Sequence, residues 1–197
     1  MSVTAFSFPT NIQFGAGARR LVAAHLREAG YQRPLLVTDK ALAALPVLGE
    51  FKTHLEGLDV AVFSGVFGNP TTSQVMAGAV AFIGHRADCI IGFGGGAALD
   101  VAKLVGVAAT HTGDIIEYAW DHPEVRAIEH PLPYLVALPT TAGTGSEVGR
   151  ASVISEDDSH LKRVVFNPKL LAKCVFADPE LTLSLPPHIT AATGIDA

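Results

Sequence analysis

Short apolar segments alternate with helical patterns along this chain of 197 residues. The apolar segments are residues 34–38, 58–63, 89–93, 134–138 and 174–177. Nearly continuous apolar runs of this length are typical of strands buried on both faces, and strands that alternate with helices form parallel sheets. The alternation therefore predicts an α/β fold in which helices flank a parallel sheet.

The composition excludes several classes of protein. Apolar residues make up 49% and charged residues 17%, so the chain can bury a large core and is not disordered. The net charge is −5 and no cluster of Lys and Arg exceeds a pair, which argues against a nucleic-acid partner. Residues 1–15 lack the pattern of a signal peptide, and no apolar run approaches the roughly 20 residues that span a bilayer. We therefore expect a cytoplasmic protein without a membrane partner, whose Cys89 and Cys174 are buried free thiols.

Three consecutive glycines, residues 94–96, follow the third apolar segment and precede a helical pattern. Glycines at such a junction let the backbone approach a ligand closely, and the N-terminus of the next helix offers unpaired N–H groups and a positive dipole end. The run therefore predicts a phosphate site. It departs from the Gly-x-Gly-x-x-Gly pattern of dinucleotide sites, and a tight turn where strand and helix pack closely is the alternative.

Asp39 stands at the carboxyl end of the first apolar segment, where open α/β sheets bind their ligands. Its carboxylate could accept hydrogen bonds from both hydroxyls of an adenosine ribose and would repel a 2′-phosphate, which favours NAD over NADP. The alternative is a helix N-cap.

Residues 139–148 follow the fourth apolar segment and are rich in hydroxyl side chains, which are those of Thr140, Thr141, Thr144 and Ser146. Such side chains could bind phosphate or a nicotinamide carboxamide. The alternative is the start of a helix capped by Thr144 or Ser146. Asn69 precedes a helix that begins with the Thr-x-x-Gln pattern of a capping box, and an ordinary Asn-Pro turn explains it equally well.

No metal site can be assembled from residue spacing alone. The eight histidines form no His-x-x-x-His pair, and Asp196 by itself is simply an acidic residue in a helical pattern. A Gly-x-Ser-x-Gly nucleophile elbow is also absent, so a hydrolase has no candidate nucleophile.

The helical pattern after residue 185 stops at Ala197 without a C-cap signal. We expect residues 1–185 to form a dinucleotide-binding domain and residues 186–197 the first turns of a second, helical domain. On this interpretation the chain is a fragment or lacks that second domain.

Several motifs occur in the order in which one family has them. They are Phe14-Gly15-Ala16-Gly17, Thr38-Asp39-Lys40, Asn69-Pro70-Thr71, Gly94-Gly95-Gly96 with Asp100 and Lys103, residues 139–148, Asp178-Pro179, and Thr193-Gly194-Ile195-Asp196-Ala197. Together they resemble the iron-containing (group III) alcohol dehydrogenase family. The resemblance implies a Rossmann-like N-terminal domain and an all-helical C-terminal domain with the active site between them. It also implies hydride transfer between NAD(P)H and an alcohol/aldehyde or ketone pair, a divalent metal (Fe²⁺ or Zn²⁺) held by one Asp and three His, and a homodimer or larger homo-oligomer.

The same resemblance implies roles for individual residues. The cofactor-binding positions would be Asp39, Asn69, Gly95, Gly96, Ala97, Asp100, Thr140, Thr141, Thr144, Lys162 and Leu181. Asp196 would be the first metal ligand, and the other ligands would lie beyond Ala197. Two residues depart from the family pattern: Ala97 replaces a usual Ser, and Gly149 a common Thr.

Two other functions fit the sequence. The chain could be a module that binds NAD without catalysis. It could also belong to a related metal-dependent enzyme, such as a glycerol dehydrogenase or a dehydroquinate-synthase-like lyase, although residues 139–148 disfavour that interpretation.

Overall fold

The computed structural model describes residues 10–197. Its strands are β1 (Asn11–Phe14), β2 (Pro34–Asp39), β3 (Ala61–Val66), β4 (Cys89–Gly94), β5 (Tyr134–Pro139), β6 (Ala151–Ser155), β7 (Lys162–Phe166) and β8 (Cys174–Ala177). Its α-helices are α1 (Val22–Glu28), α2 (Lys40–Ala43), α3 (Pro46–Thr53), α4 (Thr72–His85), α5 (Gly96–Thr110) and α6 (Pro187–Asp196). Short 3₁₀ helices span Ala18–Leu21, Ile115–Tyr118, Pro168–Leu170 and Pro179–Thr182.

A parallel sheet organises the described residues, with the strand order β1-β8-β5-β4-β2-β3. From β2 the chain continues to β3 on one side, and from β4, the other neighbour of β2, it continues to β5 in the opposite direction. Where the connections leave two neighbouring strands in opposite directions, a crevice opens at the carboxyl ends of those strands, and open α/β sheets bind ligands there. The fold therefore confirms the predicted α/β class and places a crevice between the ends of β2 and β4.

Both faces of the sheet are buried, which explains the continuous apolar strands. Leu35 and Val37 of β2 pack with α4 and α5 on one face, whereas Leu36 packs with α1 and α3 on the other. Side chains alternate between faces along a strand, so a strand covered by helices on both sides needs apolar residues at successive positions. Cys89 and Cys174 lie in these strands as buried free thiols, as predicted.

Most of the predicted strands are confirmed to within a residue, but β3 begins and ends three residues later than expected. The apolar residue Leu58 instead belongs to the preceding turn, where its N–H donates to the carbonyl of Leu55. The pair Ser64-Gly65, which looks like a turn in the sequence, is part of the strand. The carboxyl end of β3 is therefore at Val66 rather than Phe63.

The hairpin formed by β6 and β7 was not predicted. β6 contains Ser152 and Ser155 and β7 begins with the exposed Lys162, so these strands lack the continuous apolar pattern of the central strands. Several hydrogen bonds join the hairpin to the main body, such as that from the N–H of Ser155 to the carbonyl of Pro70 (2.8 Å).

The two ends of the described chain lie at different places in the fold. Near the N-terminal end, β1 pairs in parallel with β8 at the sheet edge. The predicted helix after residue 185 is present as α6. Among residues 10–197, every helix is too short or too polar to cross a membrane.

Candidate functional site

A cavity of about 440 Å³ opens at the crevice between the strand ends. Three chain segments form its walls, one at the end of β2, one at the end of β3 and one around the start of α5. The lining residues are Asp39, Lys40, Ala41, Val66, Phe67, Gly68, Gly95, Ala97 and Ala98. The cavity brings together the glycine run and Asp39, which lie more than fifty residues apart in the sequence.

Glycine is required where β4 turns into α5. This glycine turn (residues 94–96) begins at Gly94 with φ +152°, and a Cβ there would lie 2.7 Å from the Cβ of Ala98. At Gly96 a Cβ would lie 3.1 Å from the side chain of Thr144. In the described part of the chain, no side chain caps α5, a helix of 15 residues that begins at the cavity wall. The turn therefore leaves the first N–H groups of α5 available to an anion.

Asp39 performs the structural role that was the alternative interpretation of it. Its Oδ1 accepts a hydrogen bond from the N–H of Leu42 (2.7 Å) and caps α2. Its Oδ2 lies on the side of the glycine turn, 3.4 Å from the point that a Cβ of Gly94 would occupy. The cap uses one oxygen, so the second can accept hydrogen bonds from a ligand in the cavity.

The segment between β5 and β6, here the threonine loop (residues 140–150), lies over the glycine turn. The N–H of Thr140 donates to the carbonyl of Gly94 (3.0 Å). The hydroxyl of Thr141 is buried without a hydrogen-bond partner among the described residues and lies 3.3 Å from the Cβ position of Gly95. No helix begins within the described loop, so the alternative of a capped helix start is wrong. Thr141 and Thr144 therefore place their side chains against the glycine turn, whereas Thr140 contacts it through its backbone N–H.

The carboxylate of Asp100 is directed at the threonine loop and β6, and not at the cavity. Its Oδ1 accepts from the hydroxyl of Ser146 (2.5 Å), and its Oδ2 accepts from the N–H of Val153 (3.0 Å). The buried Lys103 donates to the hydroxyl of Ser146 (3.1 Å) and to the carbonyl of Ala151 (2.8 Å). Burial lowers the pKa of Lys103, and the nearby carboxylate of Asp100 opposes that change.

The remaining predicted cofactor positions differ in exposure. Asn69 is exposed and follows Gly68 of the cavity wall. Lys162 is exposed on β7, and its register partner is Ser155. Leu181 is buried in a 3₁₀ helix and packs in the core on the face that α1 and α3 cover.

Asp196 lies in α6 beside the threonine loop. Its Cβ is 3.1 Å from the position of a Cβ on Gly143, a residue with φ +100°. A side chain at Gly143 would also collide with the carbonyl oxygen of Thr193. Glycine at this position therefore lets α6 approach the loop closely and brings Asp196 to it.

The donor groups of the described chain do not make up a metal site. Residues 10–197 contain no group of three or more His, Cys, Asp or Glu side chains placed to hold an ion. Asp196 supplies a single exposed carboxylate. Divalent ions such as Fe²⁺ and Zn²⁺ take several N, O or S ligands, so these residues do not by themselves fit one.

The sequence patterns did not point to Phe67 in the cavity wall. Its signal is its position directly after a strand, but the predicted end of β3 was three residues too early.

Comparison with known proteins identifies a family. The family model described as "Iron-containing alcohol dehydrogenase" matches residues 9–179. A 4-hydroxybutyrate dehydrogenase from Cupriavidus necator is 40% identical over 189 residues, which are 95% of this chain and 49% of that protein. A choline dehydrogenase from Bacillus subtilis is 37% identical over 196 residues, which are 98% of this chain and 48% of that protein. The chain thus spans about half the length of these curated relatives.

Solved structures share the fold described above. The crystal structure of a sulfoacetaldehyde reductase from Bifidobacterium kashiwanohense, in complex with NAD⁺, matches with a TM-score of 0.92 and 29% identity. That match covers 100% of this chain and 51% of the reductase chain.

Proposed function

Because this chain belongs to the iron-containing alcohol dehydrogenase family, we propose that it forms the cofactor-binding part of an NAD-dependent oxidoreductase. The reaction would be hydride transfer between a small alcohol and the matching aldehyde or ketone. The observation that carries the proposal is the glycine turn at the crevice, beneath a threonine loop whose buried Thr141 hydroxyl has no partner in the described chain.

The pyrophosphate would bind at the start of α5. The N–H groups of Gly95, Gly96 and Ala97 stand at the N-terminus of a helix without a side-chain cap, where the helix dipole also favours an anion. Ala97 contributes its N–H but no hydroxyl. A cofactor phosphate therefore has one neutral hydrogen bond fewer than a serine at this position would offer.

The adenosine half of NAD would occupy the cavity beside Asp39. The free Oδ2 can accept from the ribose hydroxyls while Oδ1 keeps α2 in place. A 2′-phosphate would meet this carboxylate, so we propose a preference for NAD over NADP. Asn69 and its neighbour Gly68 would border the same half of the cofactor.

The nicotinamide half would lie along the threonine loop. Thr140, Thr141 and Thr144 offer hydroxyls to phosphate or to the carboxamide, and Thr141 is buried without another partner in the described chain. Hydride transfer is the chemistry of the bound cofactor, so the part of this chain would be to orient its nicotinamide ring. Lys162 and Leu181 stay predicted contact positions, and an exposed Lys can move toward a bound cofactor more readily than a buried Leu.

Asp196 is the metal ligand that we propose for this chain. A single exposed carboxylate does not hold a divalent ion by itself, so the steps assigned to this chain are cofactor binding and orientation. We also propose that the whole enzyme is a cytoplasmic homodimer or larger homo-oligomer.

A module that binds NAD without catalysis is the second candidate. The lack of a metal-binding group of side chains among residues 10–197 favours it, because the chemistry implied by the family needs one.

One experiment separates these candidates. The protein, expressed over its full reading frame and loaded with Fe²⁺ or Zn²⁺, is assayed for NADH oxidation with small aldehydes and ketones, and calorimetry measures NAD binding. Turnover together with binding supports the oxidoreductase, binding without turnover supports the module, and no binding contradicts both.

A matched pair of variants locates the site. Gly96→Ala would press a methyl group toward Thr144, whereas Gly84→Ala adds one on α4 with nothing within 4 Å. We expect Gly96→Ala to weaken NAD binding and Gly84→Ala to leave it unchanged.

A further inference from the structure

Lys103 and Asp100 lie in the first two turns of the helix whose N-terminus forms the proposed phosphate site. The side chain of Lys103 is 1% exposed and that of Asp100 is 14% exposed, and their Nζ and Oδ1 atoms are 3.7 Å apart. Neither group belongs to the cavity wall. Two charged groups removed from water at this position need an explanation other than direct contact with the cofactor.

Both residues converge on one serine. The hydroxyl of Ser146 donates to Asp100 Oδ1 (2.5 Å) and accepts from Lys103 Nζ (3.1 Å). A hydroxyl has one proton to donate and lone pairs to accept with, so Ser146 uses both functions at once. Hydrogen bonds to charged groups are the stronger class, and this serine makes two of them.

Ser146 is the attachment point of an otherwise irregular loop. Between residues 141 and 149, the hydrogen bonds that link the loop to other described elements all involve the Ser146 side chain. The loop's other bonds are internal, such as that from the N–H of Val148 to the carbonyl of Gly145. Two residues before Ser146, the side chain of Thr144 covers Gly96 of the glycine turn.

The geometry points to Lys103 and Asp100 as positioning residues, which hold the threonine loop over the glycine turn through Ser146 in a geometry competent to bind NAD. This inference rests on the proposed NAD site. It assigns to Asp100 a role through the loop in place of the direct cofactor contact that the resemblance implied. The helix α5 would thus bind the cofactor at its N-terminus and hold the threonine loop in place one turn later.

The test removes the serine hydroxyl and leaves both charges in place. In Ser146→Ala, with the protein expressed over its full reading frame, we expect the Kd for NAD to rise about tenfold because the loop loses its attachment. Amide hydrogen exchange of residues 140–149, measured without NAD, should become faster while exchange in β4 and β5 is unchanged. Ser146→Thr keeps the hydroxyl and should restore both properties.

Ser152→Ala is the matched control. Ser152 is also a buried serine near this network, but its hydroxyl has no hydrogen-bond partner among the described residues. Its loss should change neither NAD binding nor the exchange of the loop. A double variant, Ser146→Ala with Asp100→Asn, should bind NAD about as weakly as Ser146→Ala alone, because both changes break one network.

The outcomes separate this inference from the proposed function. Wild-type affinity in Ser146→Ala would overturn the positioning role and leave the NAD site standing. A wild-type protein that binds no NAD would overturn both. Faster loop exchange combined with weaker binding, restored by Ser146→Thr, supports the positioning role.

Discussion

Asp39 is the last residue of one parallel strand and Asp178 directly follows another, and the structure uses the two carboxylates differently. The carboxylate of Asp178 is fully buried, and both of its oxygens are engaged. Oδ1 accepts from the N–H groups of Gly17 and Glu180, and Oδ2 accepts from the N–H and guanidinium of Arg19. Asp39 caps α2 with one oxygen and keeps the other beside a cavity.

The difference shows how to separate a structural carboxylate from a ligand-binding one. Burial alone would raise the pKa of Asp178, but the Arg19 guanidinium and the backbone N–H groups lower it below its usual value. With its acceptor positions occupied, Asp178 fastens the Gly17–Arg19 segment to the end of β8. Asp39 has an acceptor to spare, and only a residue of that kind can bind a ligand without first losing a structural contact.

Removing Asp178 should have the largest effect on folding. Asp178→Ala leaves Arg19 without its buried partner and three backbone N–H groups without an acceptor. We expect a loss of about 3–5 kcal/mol in the free energy of unfolding, measured by urea denaturation. Glu180→Gln, which alters the exposed second partner of Arg19, is the control and should cost less than about 1 kcal/mol. Equal losses in the two variants would contradict the distinction between them.

Asp39→Ser should separate the two functions of Asp39, because serine is also a good N-cap. Stability should stay within about 0.5 kcal/mol of the original, whereas NAD binding should weaken by about 1.5–3 kcal/mol as the charged acceptor is lost. Discrimination against NADP should fall as well. Calorimetry with both cofactors measures this. A variant that keeps its NAD affinity would show that Asp39 is a cap and nothing more.

Ala97→Ser should strengthen cofactor binding by a smaller amount. The added hydroxyl stands in the cavity wall at the start of α5 and can donate to phosphate, which is worth about 0.5–1.5 kcal/mol. Ala77→Ser, at an exposed position of α4, is the control and should leave the Kd for NAD unchanged. If Ala97→Ser binds NAD no more tightly, the phosphate does not lie at this turn of the helix.

Asp157 is an exposed carboxylate, and its substitution should have the smallest effect of those considered, a change in how stability depends on pH. Hydrogen bonds from Ser73 and Thr72 at the start of α4 lower its pKa from 3.8 to about 2. A folded-state pKa below the unfolded value stabilises the fold above about pH 4, and this contribution disappears as the pH falls through 2. The stability of the wild type should therefore decline more between pH 4 and pH 2 than that of Asp157→Asn, as measured by denaturation at each pH. Parallel curves for the two proteins would contradict this assignment.

Local sequence patterns predicted much of the fold and part of the candidate site. The β2, β4, β5 and β8 strands were found because burial on both faces demands continuous apolar residues. The β6–β7 hairpin was missed because its strands are partly exposed, and the end of β3 was misplaced because Ser64-Gly65 resembles a turn. Because the end of β3 was misplaced, Phe67 was not expected in the candidate site.

By itself, the sequence determined the parallel sheet, the glycine turn and the family to which the chain belongs, because these depend on residue type and on spacing within a short segment. The tertiary structure alone decided which carboxylate keeps an oxygen available for a ligand. Asp39, Asp100 and Asp178 look alike as acidic residues near strand ends or in a helix. Their partners lie as far as 161 residues away, as for Asp178 and Gly17, and a hydrogen bond across that separation is specified by packing and not by local pattern.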